Sequence, residues 1–226
     1  TKSRVSASVT YTTAHSVSGR ANDRAATLVL IHGVGLEQSM WTRALPFLDP
    51  YYHVVRYDLI GHGSTPAIGP RVTLEDFVDQ LAQLMRMVDI ERAHVLGFSL
   101  GGIIARGFAV AHPGRVSKLV VLGSIAPRTV AQRAAIAGRL QELEQRGVEA
   151  TLEAAIERWY TPAFIRGEPT VIDATRRVLR ANDPVGYAAA YRFFATADDV
   201  IADLGPKIRC PTLAITADGD VGSTPE

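Results

Sequence analysis

A chain of 226 residues, 47% apolar and 21% charged, can bury one sizeable core with room for a small appended subdomain. A net charge of +1 argues against nucleic acid or an anionic membrane as the main partner, and no apolar run approaches the roughly 18 residues of a membrane span. The one cysteine, Cys210, excludes an intrachain disulfide framework and fits a reducing, cytoplasmic compartment.

Thr1-Lys2-Ser3-Arg4-Val5 does not read as a signal peptide. Residues 5–13 alternate and are β-prone, which predicts a half-exposed antiparallel strand, and residues 18–23 read as a turn. Thr27-Leu28-Val29-Leu30-Ile31 is a continuous apolar run, as in the centre of a parallel sheet, broken by His32-Gly33-Val34-Gly35. Residues 52–57 form the next strand, ending at Asp58. Thr73-Leu74-Glu75-Asp76 is a helix-capping signal, and Leu74, Phe77, Val78, Leu81, Leu84, Met85 and Val88 follow at helical spacing. A strand over 93–96, a helix from Ser99 to about His112 and a strand over 116–122 complete the alternation.

Beyond Gly123 the rhythm changes. From Ala126 to about Leu204 the pattern is helical only, with helices over 128–145, 150–160, 172–180 and 186–196, and strand signal returns over 211–216. Cys210, ahead of Pro211 and that strand, reads as a small buried hydrophobe. The expected fold is α/β: a mostly parallel sheet flanked by helices. Residues 1–124 and 205–226 form the core, and 125–204 an inserted helical cap that roofs the carboxyl ends of the strands.

Gly97-Phe98-Ser99-Leu100-Gly101 lies between an apolar strand and an apolar helix. On so tight a turn the serine is forced outward with its hydroxyl at the sheet edge, while Cβ atoms at 97 and 101 would strike their neighbours. This is the setting of a nucleophile for acyl transfer, which needs a base, a residue orienting that base, and an oxyanion hole. The hole would use the amide of Leu100 and, from the loop after the first apolar strand, that of Val34. The acid follows the last strand, where Asp220 is chosen over Asp218 because a strand end positions it. Trp159 is a candidate substrate contact or, equally, an aromatic of the cap core.

The base is missing. None of His15, His32, His53, His62, His94 and His112 lies beyond Asp220, where the order Ser, Asp, His requires it. His32 and His62 read as loop-holding residues, His94 as a strand residue, and His112 as a helix-end cation. The reading is of an incomplete polypeptide lacking a last strand and helix: truncated, nicked with the remainder on a separate chain, or continued by a tail. No His, Cys or carboxylate cluster has metal-ligand spacing, so neither metal nor cofactor is expected.

Together these segments resemble the α/β-hydrolase superfamily. The residues that carry the likeness are His32-Gly33 with Trp41 downstream, Tyr57-Asp58-Leu59-Ile60-Gly61-His62-Gly63, the pentapeptide at 97–101, His112-Pro113-Gly114-Arg115-Val116, and Pro211-Thr212-Leu213 leading to Asp220. Arg158 to Phe164 and Asp183 to Tyr187 are similar to the cap of the branch around 3-oxoadipate enol-lactonases and esterases. The resemblance implies Ser99 as nucleophile, Asp220 as acid, the Val34 and Leu100 amides as oxyanion donors, and a histidine some 25–35 residues beyond Asp220. It implies hydrolysis of a small carboxylic ester or lactone. C–C bond hydrolysis, perhydrolysis and a non-catalytic binding role on the same fold are the alternatives. Oligomeric state is not legible.

Overall fold

The computed structural model describes residues 10–20, 25–220 and 222–223. Six strands form one sheet: β1 (His15–Gly19), β2 (Ala26–Ile31), β3 (Tyr52–Tyr57), β4 (Ala93–Phe98), β5 (Val116–Leu122) and β6 (Thr212–Ile215), in the spatial order β1-β3-β2-β4-β5-β6. Only β1 runs antiparallel, against β3. The strand expected over 5–13 is displaced. Residues 10–14 are not strand, residues 5–9 lie outside the described residues, and Ser18 and Gly19, read as a turn, close β1.

β2 reads as an unbroken apolar run because both its faces are covered. Val29 and Ile31 enter the larger core, and Leu28 and Leu30 pack with Trp41 and Val54 in a smaller one on the opposite face. Three short helical segments escaped the pattern: a 3-10 turn over Gln38–Trp41, α1 (Leu45–Leu48), and a 3-10 turn over Pro113–Arg115. The predicted capping box opens α2 (Leu74–Met87), with the Asp76 amide donating to Thr73 Oγ1 and the Thr73 amide to Asp76 Oδ2. α3 (Leu100–Ala111) packs on β2, β4 and β5 and against α2.

Between β5 and β6 every described helix or strand is helical: α4 (Val130–Arg146), α5 (Val148–Trp159), α6 (Pro162–Gly167), α7 (Pro169–Ala181), α8 (Pro184–Thr196) and α9 (Asp198–Leu204), then a 3-10 turn over Gly205–Lys207. This stretch touches the sheet side closely. A Cβ on Gly61 would lie 2.6 Å from Gly186 Cα in α8. Arg128, ahead of α4, is buried and bonds Asp198 Oδ2 at 2.9 Å, while its own amide donates to Asp198 Oδ1.

All four residues of β6 are exposed, Leu213 and Ile215 included, and Cys210, expected to be buried, is only half-buried. His112 closes α3, where its charged form is disfavoured rather than favoured. Burial, with Arg115 nearby, pushes its imidazole down, and the ring packs on Phe108 at 4.9 Å. Among the described residues no helix is long and apolar enough to cross a membrane.

Candidate active site

The strand order reverses at β2: β3 lies on one side of it and β4 on the other. The chain therefore leaves the carboxyl ends of β2 and β4 in opposite directions, opening a crevice between them. Ile31 pairs with Gly97 in register, so the loop beginning at His32 stands beside Phe98 and Ser99.

Ser99 caps α3 with φ +53° and ψ −116°. That is a sparsely populated conformation for a residue with a side chain, and it persists only where the surroundings hold it. Its amide donates to Leu122 O at 3.0 Å, and its carbonyl accepts from Gly102 N at 2.9 Å. A serine at a helix N-cap ordinarily turns its hydroxyl back onto the first helical amides. Here the hydroxyl makes no such bond and lines the cavity instead. The flanking glycines are sterically required. A Cβ at 97 would sit 2.1 Å from Gly101 O, and one at 101 would sit 2.4 Å from Ile31 O.

The cavity measures about 240 Å³. Its floor is Gly33, Val34, Ser99, Gly123 and Asp220, and its far wall comes from α4, α5 and α8. Asp220 Oδ1 accepts from the amides of Gly222 and Ser223 at 2.8 and 2.9 Å, which fixes the carboxylate in the turn that follows β6, five residues past the strand end at Ile215 where it was expected. Asp218 is exposed in the same turn. Val34 and Leu100 are buried, and neither amide finds an acceptor among the described residues. A buried amide without an acceptor is unusual and is suited to receiving one from a ligand. Trp159, at the end of α5, lies on the cavity rim and is 36% exposed.

None of the six histidines lines this cavity. His32 and His62 are fully buried beneath it, ring centroids 5.3 Å apart. His32 Nε2 accepts from Leu59 N at 2.9 Å and Nδ1 meets Gly33 O at 2.8 Å, while His62 Nε2 accepts from Gly35 N at 3.0 Å. Burial pushes His32 down to about 4, and burial together with His32 pushes His62 to about 3. Both rings are therefore neutral braces of the loop that carries Val34. Asn182 Nδ2 adds a third brace, donating to Gly35 O at 2.9 Å.

Sequence reasoning missed the cationic wall. Arg128, Arg139 and Arg158 all line the cavity. Arg128 is committed to Asp198, but Arg139 and Arg158 have no carboxylate partner among the described residues. Arg139 Nε donates to Tyr191 Oη at 3.3 Å, and Arg158 donates to Ala154 O. Burial, with Arg139 close by, holds the Arg158 guanidinium below its usual value. Among the described residues no group of three His, Cys, Asp or Glu could hold a metal ion.

Residues 26–160 match the family described as alpha/beta hydrolase fold. The chain belongs to that family. This hydrolase is 33% identical over 199 residues to (E)-2-((N-methylformamido)methylene)succinate hydrolase of Acinetobacter baylyi, covering 88% of this chain and 74% of that protein. It is 28% identical to 3-oxoadipate enol-lactonase 2 of the same organism, over 87% of this chain and 72% of that one. Among solved structures it is similar to the enol-lactonase from Burkholderia xenovorans LB400, with a TM-score of 0.85 and 28% identity, over 94% of this chain and 80% of that chain.

Proposed function

We propose that this hydrolase cleaves a small carboxylic ester or lactone through an acyl-enzyme on Ser99. The Ser99 hydroxyl attacks the carbonyl carbon. Its proton passes to a general-base imidazole; none of the six histidines of residues 1–226 lines the cavity. Asp220 orients that imidazole, and the Val34 and Leu100 amides hold the tetrahedral oxyanion, each donor being worth about 3 kcal/mol. The imidazole then protonates the leaving oxygen, and water hydrolyses the acyl-enzyme. The stretch 125–204 serves as the cap over a core of residues 1–124 and 205–226, with Trp159 as a substrate contact.

The observation that carries this reading is a strained serine whose hydroxyl makes no cap bond and lines one cavity with a fixed carboxylate, beside two amides without acceptors among the described residues. The substrate bears a carboxylate of its own, supported by the Arg139 and Arg158 guanidiniums, which line the cavity without a carboxylate partner among the described residues. The acids for which the relatives are named, a succinate and 3-oxoadipate, agree with that polarity. The deciding experiment is burst kinetics with an activated ester. Ser99→Ala abolishes the burst, and an undiminished burst amplitude overturns the assignment.

A further inference from the structure

Ser99 C=O and Leu100 N–H belong to one planar trans peptide unit, so the two bonds point in opposite directions. Whatever fixes the carbonyl therefore aims the amide. Ser124, two residues past β5, donates from Oγ to Ser99 O at 2.7 Å. Ser124 Oγ in turn accepts from Arg106 Nη2 at 3.1 Å. Arg106 stands on α3, with Nε on Gly102 O at 3.1 Å and Nη2 also on Ile125 O at 2.9 Å. Its guanidinium has no carboxylate partner among the described residues, so its charge is directed at these carbonyls and the Ser124 hydroxyl. The fit is tight: a Cβ on Gly102 would lie 2.5 Å from Ser124 Cβ.

We infer that Arg106 and Ser124 are positioning residues for oxyanion stabilisation, acting through the Ser99–Leu100 peptide. The chain runs from guanidinium to hydroxyl to carbonyl, and the Leu100 N–H emerges at its far end. Each bond in such a series polarises the next, so the positive charge on α3 strengthens Leu100 N–H as a donor without reaching the cavity itself. The same chain holds the sparsely populated Ser99 conformation from the carbonyl side, as Leu122 O does from the amide side. Neither residue touches substrate.

This inference rests on the nucleophile assignment above, and its test separates the two. Ser124→Ala lowers kcat for an activated ester about tenfold with KM unchanged, a fraction of the hundredfold or more expected for losing a whole donor. The Leu100 amide proton, followed by NMR, moves upfield as its peptide loses polarisation. Ser124→Thr, which keeps the hydroxyl, restores both. Arg106→Met gives the same upfield shift with Ser124 present. An unchanged kcat and an unmoved Leu100 resonance in Ser124→Ala overturn the inference, as does a loss of activity that tracks melting temperature and leaves that resonance in place. If Ser99→Ala retains burst acylation, the nucleophile assignment falls, and the Leu100 resonance still decides whether Ser124 and Arg106 polarise this peptide.

Discussion

One residue lining the cavity is held against its own backbone preference. Ser99 sits at φ +53° because the turn between β4 and α3 leaves no other path, and the glycines at 97 and 101 make that path passable. The requirement at 101 is the more readily tested. A methyl there would meet two backbone oxygens, Ile31 O at 2.4 Å and His32 O at 2.6 Å, neither of which can swing aside. Gly101→Ala is expected to destabilise the protein by about 3 kcal/mol in urea denaturation, the upper part of the range for overpacking. Gly114→Ala, with open space around it, serves as the neutral control. Equal stability of the two variants would contradict the steric argument.

At the scale of elements, α4 and α5 bring Arg139 and Arg158 to the cavity that Ser99 also lines. A carboxylate bound there gains charge-assisted hydrogen bonds worth about 1.5–3 kcal/mol. Arg139→Met and Arg158→Met should each lower kcat/KM for a carboxylated ester or lactone roughly tenfold or more, while leaving neutral esters of the same acyl length within about twofold. Equal losses on charged and neutral substrates would remove the anion site. This wall was not legible in the sequence. Arginines are spread along the whole chain, and only folding distinguishes one committed to a carboxylate, such as Arg128, from one left facing a cavity. α6 and α9 also escaped as separate helices, since six and seven residues span too few turns for a hydrophobic period to register. β1 was misplaced because the alternating, β-prone stretch lies just ahead of it, at 5–13.

For the molecule as a whole, the buried histidine pair couples stability to pH. Unfolded histidine titrates near 6.5, whereas His32 and His62 fall to about 4 and about 3 when folded. Between those values the unfolded chain binds more protons, so stability rises with pH and drains away as pH drops below 6.5. Each histidine contributes a slope of about 1.4 kcal/mol per pH unit within its window. Urea midpoints measured from pH 6 to 4.5 should therefore decline, and His62→Gln, which keeps an acceptor for Gly35, should show a shallower decline. An identical pH slope in both proteins would show that the pair is not the source.

What the sequence determined by itself was whatever is local: the apolar runs, the Thr73 capping box and the glycine-flanked turn at Ser99. In each, the constraint acts within a few residues of the chain. Tertiary structure decided the rest. It placed Asp220 and Ser99 on one cavity, made neutral braces of His32 and His62, left the Val34 and Leu100 amides without acceptors among the described residues, and set Ser124 behind the Ser99 carbonyl. Those relations join positions 25 to 121 residues apart, and no periodicity encodes them. They arise because the strand order reverses at β2, which brings separate loops to one crevice.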